Sequence, residues 1–327
     1  MQRSTTNVLV SGVLLPGVLA SCIAGAAMAS GGGDVTVIRS TSGERANLTA
    51  AVDAVRNSLG EFNAPEPGSK ADGRRQIDWD AAPDAVSAPN DFPPDFFNFP
   101  AFPRARGVVF TTPGTGFQLS ATEASGTGID FSNIDFSYED TFESFSPERL
   151  FTPIGDNRLD ITFKVPGVDR PALSHGFGAV FSDVDFDEVT SMEFYGPSGE
   201  SLGLWYVDAG IQWGADETFS LLMVQFDEPI VSRVRVVLGT DALAHGVKDG
   251  VDGVDLVVMD DLIFGEPVPA APILGDLNND GLITIEDLLA VLAAFGPCDG
   301  CPEDFNNDGY VGIYDIVTIL AGFDSFG

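Results

Sequence analysis

Asp276, Asn278 and Asp280 stand at alternate positions before Gly281, and the same string returns as Asp304, Asn306, Asp308 and Gly309. Oxygens at that spacing suit a hard cation, since Ca2+ takes six to eight oxygen ligands at roughly 2.3–2.6 Å. Read as a twelve-residue loop, each copy offers side-chain oxygens at positions one, three and five. A glycine makes the sharp turn at six, and the carbonyl of Leu282 or Tyr310 falls at seven. Thr284 at position nine offers a hydroxyl, directly or through water, where the second copy has Gly312. Asp287 and Asp315 close the loops. Three carboxylates in one loop repel one another until a cation arrives. The spacing therefore predicts two Ca2+ ions, one in each loop. A turn-forming string that binds nothing is the competing reading of a single copy, and a second copy in the same register argues against it.

The loops must be positioned by the elements on their C-terminal side. The match continues through Ile283/Val311, Leu288/Ile316, Leu292/Leu320 and Phe295/Phe323, spacings that predict a helix behind each loop. The stripes Leu288/Leu292/Phe295 and Ile316/Leu320/Phe323 are expected to bury against each other, leaving Glu286 and Tyr314 with neighbouring helix surface as a contact patch. Pro272 and Pro302 sit close upstream, no helical pattern precedes either loop, and both loops close with Asp rather than Glu. In these features residues 275–324 resemble a type I dockerin. The resemblance implies a small all-α, EF-hand-like module of two loop–helix units about a pseudo-twofold axis, each holding one Ca2+. It also implies docking onto a cohesin-like protein partner of an assembly, often one for polysaccharide breakdown. In that family the two residues before the closing Asp contribute to partner choice. Here Ile285-Glu286 and Ile313-Tyr314 stand in place of small hydroxyl residues. Cys298 and Cys301 lie between the repeats; with no His or further Cys close in sequence to complete a zinc site, a loop-stapling disulfide is expected.

With 49 acids against 16 bases and a net charge of −33, the chain lacks the basic stripe of a nucleic-acid binder or an unaided anionic-membrane binder. Residues 1–29 contain no acid, an apolar run over 8–20, and the small-residue site Ala27-Met28-Ala29, which together read as a signal peptide. Leu19-Ala20-Ser21-Cys22 resembles a bacterial lipobox, so lipid anchoring at Cys22 is the alternative processing. Either route predicts an extracellular or cell-surface protein with no transmembrane helix in the mature chain.

Residues 30–106 read as a flexible, Pro- and Phe-rich lead-in. Leu48, Val52, Val55 and Leu59 predict a short helix near 46–59, while residues 63–103 are too dense in Pro, Asp and Phe for regular structure. Phe92, Phe96, Phe97, Phe99, Phe102 and Phe110 are nonetheless expected to pack onto something. Residues 107–265 read as a β-sandwich or jelly roll, making the chain mainly β. Ile161, Phe163 and Val165 alternate, Val234, Val236 and Leu238 face away from Arg233 and Arg235, and further strands are expected at 177–184, 190–195, 202–207, 219–226 and 256–264. Residues 266–274 read as a Pro/Ala linker. The stretches 176–185 (Gly176-Phe177-Gly178-Ala179-Val180-Phe181 onward) and 258–267 (Val258-Met259-Asp260-Asp261-Leu262 onward) resemble an exported bacterial β-sandwich family often found with PEP-CTERM sorting tails. That similarity runs from about Ala46 to Pro267 and implies no settled activity; the dockerin-like repeats stand where that family carries its tail.

No Gly-x-Ser-x-Gly elbow is present, and His175 and His245 lie in glycine-flanked, turn-like surroundings, so no catalytic residue is assigned. Asp183 and Asp185 with Asp260 and Asp261 are candidates for a further structural ion in the β-domain, and Asp249, Asp252 and Asp255 form a second acidic group; solvated turns are the alternative. Trp79, Trp205, Tyr206 and Trp213 offer sugar-stacking faces or, equally, core. The expected function is a non-catalytic surface or assembly protein, with a glycan on the β-domain and a cohesin-like partner on 275–324. The alternatives are a polysaccharide-degrading enzyme delivered by the tail, needing a carboxylate pair that no motif singles out, and a structural matrix protein.

Overall fold

Phe177-Gly178-Ala179-Val180-Phe181 and Leu221-Leu222-Met223-Val224 are apolar at every position rather than every second one. A strand of that kind must be covered on both faces. The computed structural model, which describes residues 34–210 and 216–323, meets that demand with two sheets and an outer helix. The expected signal peptide, Cys22 and Trp213 lie outside the described residues.

The chain runs β1 (Val35–Ser42), α1 (Arg45–Leu59), β2 (Arg74–Ile77), β3 (Val108–Thr111), β4 (Gly116–Leu119), β5 (Phe151–Ile154), β6 (Arg158–Phe163), β7 (Ala172–Leu173) and β8 (Gly176–Ser182). It continues through β9 (Ser191–Tyr195), β10 (Ser201–Tyr206), β11 (Phe219–Phe226), β12 (Arg233–Val237), β13 (Val258–Gly265) and β14 (Val268–Pro269). The C-terminal elements are α2 (Ile285–Ala293), β15 (Gly296–Pro297), β16 (Tyr310–Val311) and α3 (Ile313–Ala321). The described chain is mainly β and its strand pairs are antiparallel.

One sheet has the order β1-β11-β8-β13-β5-β4, with β2 added on β13; the other has the order β10-β9-β12-β6-β3. Their inner faces share a core. Phe163 of β6 lies 6.4 and 5.7 Å, ring centre to ring centre, from Phe177 and Phe264, and Phe194 of β9 lies 5.8 Å from Phe226. On the opposite face of the first sheet, Leu48, Val52, Val55 and Leu59 of α1 cover Ile38, Val180, Leu221, Met223 and Ile263. β8 is therefore buried along its whole length. In β12 the alternation runs as its pattern requires: Val234 and Val236 face the core, while Arg233 and Arg235 reach Asp160 on β6 at 2.7 and 2.8 Å. Among the described residues no helix is long and apolar enough to cross a membrane.

Two stretches differ from expectation. The lead-in supplies structure: β1 pairs with β11 from Val35↔Phe226 to Ser42↔Phe219, and β2 pairs with β13. Trp79 stacks on Phe151 at 4.3 Å, ringed by Phe92, Phe97 and Phe110, while Phe99 and Phe102 stay exposed. Proline density bars long strands, but β2 fits between Pro67 and Pro83, and its partner lies far along the chain. The expected linker is likewise held, because β14 pairs with β7 and Glu266 is buried.

Glu266 meets Arg75 in an ion pair whose two side chains are each 1% exposed. Nε and one terminal nitrogen of Arg75 donate to the carboxylate, and its remaining donors reach the carbonyls of Ala64, Glu66, Gly68 and Ala105. Removing one member of a buried pair strands the other charge, at a cost of about 3–5 kcal/mol. Glu266→Gln is expected to lower unfolding stability by about that amount. Urea denaturation checks this, and a loss below about 1 kcal/mol, the size of an exposed pair, would refute it.

Candidate metal centre

The two acidic loops fold through the same set of bonds. In the first, Asp276 accepts from the amides of Asp280 and Gly281 at 3.2 and 2.8 Å, and Asp280 accepts from Leu282 at 2.9 Å. In the second, Asp304 accepts from Asp308 and Gly309 at 3.2 and 2.9 Å, and Asp308 accepts from Tyr310 at 2.9 Å. Gly281 and Gly309 take φ of 84° and 83°, left-handed values that a side chain at position six would resist. The closing carboxylates reach back across their loops. Asp287 accepts from Leu277 and Thr284, and Asp315 from Phe305 and Gly312, each at 2.8 Å. Thr284 caps α2, its hydroxyl accepting from the Glu286 amide at 3.3 Å.

The site residues are thus brought into each loop, but among the described residues their carboxylates do not converge as trios within 4.8 Å. Asn278 and Asn306 sit exposed at the loop rims, each donating to the Asp two residues on. Burial, and then neighbouring carboxylates, push Asp276 and Asp280 above the ordinary range. Burial also acts upward on Asp315, but the amides of Gly312 and Phe305 outweigh it and hold that group below. Among the described residues, no lysine or arginine forms an ion pair with any of the six loop carboxylates. An all-oxygen donor set fits a hard metal ion.

The helices turn differently from expectation. Val291 and Ile319 are the fully buried apolar residues of α2 and α3, packed with Ile283 and Val311. Leu288 and Ile316 are only half-buried, and Leu292, Phe295, Leu320 and Phe323 are exposed. The reason is the closing carboxylate. Asp287 and Asp315 must point inward to reach their loops, and the residue four later shares that face. The phase set by Asp287 selects Val291, not Leu292. This signal is present in the sequence.

The first loop is also fastened to the β-body, which the linker reading does not anticipate. Leu282 joins the main core, Arg170 donates to the Gly281 carbonyl at 2.6 Å, and Ser69 donates to the Asp280 carbonyl at 2.6 Å. No local pattern marks Ser69 or Arg170. Cys298 and Cys301 pair as a disulfide, beside the β15–β16 ladder.

Elsewhere, Trp79 and Trp205 are spent in the core, leaving Tyr206 as the exposed one among the described members of the expected stacking set. His245 is exposed beside Asp135, and burial holds half-buried His175 below its usual range. The β-body acids sort differently from the expected grouping. Asp260 accepts from the Phe145 and Ser146 amides at 2.5 and 3.1 Å, Asp261 pairs with Arg56, and Asp252 is exposed. Asp183 and Asp185 instead meet Asp249 and Asp255. Comparison with protein-family models, curated proteins and solved structures finds no match to this chain.

The helix phase has a direct test. Ile319→Ala should cost about 2–5 kcal/mol of stability, the range for truncating a buried aliphatic side chain. Its neighbour Leu320→Ala should stay within about 0.5 kcal/mol. Equal costs in denaturant titrations would contradict the observed burial.

Proposed function

We propose that this chain is an exported, non-catalytic assembly protein, a β-sandwich carrying a Ca2+-dependent, dockerin-like docking tail. The observation that carries this reading is a pair of repeat-related apolar stripes left in water. Ile285, Leu289 and Leu292 line one helix, and Ile313, Val317 and Leu320 line the other, with Leu289 at 56% and Ile313 at 74% exposure. Residues at i, i+4 and i+7 form one face, the usual way a helix presents anchors to a partner. A small module that leaves both such faces uncovered is built to have them covered.

Ca2+ belongs to the same reading. In the first loop Asp276, Asn278, Asp280, the Leu282 carbonyl and Asp287 would hold it; in the second, Asp304, Asn306, Asp308, the Tyr310 carbonyl and Asp315. Thr284 is the weaker ligand, because its hydroxyl already caps α2. The ion offsets the repulsion among three carboxylates and so fixes the start of the helix that bears each stripe. The acid-free stretch at 1–29 supports export, and the shared core of the two sheets supports the sandwich.

The test uses the mature chain, immobilised and exposed to the native secretome with Ca2+ or with chelator. Capture of a protein partner should require Ca2+. Leu289→Ala with Val317→Ala should weaken that capture by about 30-fold, the equivalent of losing about 2 kcal/mol at interface anchors. Capture unchanged by chelator or by the double substitution overturns the docking reading. Release of reducing ends from a polysaccharide panel overturns the non-catalytic one.

A second expectation concerns metal and stability. A ligand that binds only the folded state at a hundredfold excess over its Kd adds about 2.7 kcal/mol. Saturating Ca2+ should stabilise the chain accordingly, and Asp276→Asn with Asp304→Asn should remove most of that gain. Because Ser69 donates to the Asp280 carbonyl, chelation should also speed hydrogen exchange at the Ser69 amide. An exchange rate indifferent to Ca2+ would separate loop folding from metal.

A further inference from the structure

Three neighbouring strands meet at one end of the first sheet. Ser182, the last residue of β8, stands opposite Phe219, the first of β11, and opposite Val258, the first of β13. Residues just beyond those points must gather at one corner, and they are acidic. Asp183 and Asp185 follow β8, Asp216 precedes β11, and Asp249 and Asp255 precede β13. Carboxylate oxygens of Asp183, Asp216 and Asp249 lie within 4.8 Å of one another, and so do those of Asp185, Asp249 and Asp255. Asp249 belongs to both trios.

Clustered acids on a surface bind nothing by default; the buried one here is different. Asp183 is 0% exposed, and neither of its carboxylate oxygens has a hydrogen-bond partner. It is not a loose loop end, since its amide donates to the Thr218 carbonyl at 2.8 Å. Its φ of 67° lies in the left-handed region, a conformation that a non-glycine residue holds only where the surroundings impose it. Asp249 and Asp255, by contrast, are partly satisfied by amides, Asp249 from Leu256 at 2.6 Å and Asp255 from Asp185 at 3.2 Å. Burial, reinforced by Asp249, Asp185, Asp216 and Asp255, pushes the Asp183 carboxyl up to about 10. Among the described residues no lysine or arginine forms an ion pair with Asp183, Asp216 or Asp249.

A buried carboxylate with no donor must be neutralised by a proton or a cation. The surroundings favour the cation. Among the described residues, two carboxylate trios that share Asp249 meet without a histidine or a thiol, a donor set for a hard ion rather than for zinc or copper. Half-buried Asp249 and exposed Asp216 leave the corner open on one side. We infer that this corner is a Ca2+ site of the β-body, distinct from the C-terminal loops, bound through Asp183, Asp216 and Asp249 with Asp185 and Asp255 adding charge behind them. An ion there ties the ends of β8, β11 and β13 together at the centre of the larger sheet.

Counting bound Ca2+ by equilibrium dialysis of the full chain separates this site from the tail. Asp183→Asn should lose one equivalent relative to the wild type, while Asp276→Asn with Asp304→Asn should keep that equivalent. Thermal melts give an independent readout. In chelator near neutral pH Asp183→Asn should melt above the wild type, because folding no longer has to protonate a buried carboxyl. The Ca2+-induced rise that persists in the Asp276→Asn, Asp304→Asn chain should vanish when Asp183→Asn is added. Should Asp183→Asn fail to fold, exposed Asp216→Asn must weaken or lose the same equivalent. An unchanged count in these variants overturns the site and leaves Asp183 protonated. A wild-type count that the tail substitutions do not lower would count against the tail reading alone.

Discussion

A buried guanidinium must find an acceptor for each of its donors or forfeit the desolvation energy of the charge. Arg75 does so at the junction of almost everything else. Its bonds to Glu266 join β2 to the end of β13, and its bonds to the carbonyls of Ala64, Glu66 and Gly68 hold the segment after α1 in place. That segment ends at Ser69, which donates to both the Pro267 and Asp280 ends of the C-terminal chain through its hydroxyl and amide. One ion pair thereby sets the platform on which the first acidic loop rests.

The same problem, what to do with charge out of water, recurs through this strongly acidic chain and is met in two observed ways. Asp160 is answered by Arg233 and Arg235, and Asp261 by Arg56. Asp260, Asp287 and Asp315 are answered by backbone amides. The Asp183 carboxylate has neither, and it is there that we propose a cation. With 16 basic residues against 49 acids, the supply of side-chain cations is limited.

The β-body and the repeats divide their apolar surface in opposite ways. In the β-body even the tryptophans described are drawn inward, Trp79 against Phe151 and Trp205 edge-on to Phe194 and Phe226. In the repeats a core of four buried aliphatics suffices to hold two short helices, and the rest of each helix's apolar surface faces out. A core that small leans on its neighbours, which accounts for Leu282 being lodged in the β-body rather than in the module it belongs to.

Periodicity alone determined the strands whose two faces differ, such as β6 and β12, because alternation is a local consequence of the pleat. It also determined the repeat, since equivalent residues make equivalent bonds in both loops. The helix phase is present in the sequence but ambiguous: the apolar spacing of four and three fits two adjacent faces, and only the inward demand of Asp287 and Asp315 chooses between them. Other features had no local signature. β1 and β2 owe their existence to β11 and β13, partners far along the chain; Gly/Ser-rich sequence before β1 and proline-rich sequence around β2 conceal strands that long-range hydrogen bonds can still stabilise. The meeting of Asp183 with Asp216 and Asp249 is likewise invisible in sequence. It arises from antiparallel register, which brings one strand's end beside its neighbours' beginnings, and register is settled only when the sheet closes over its core.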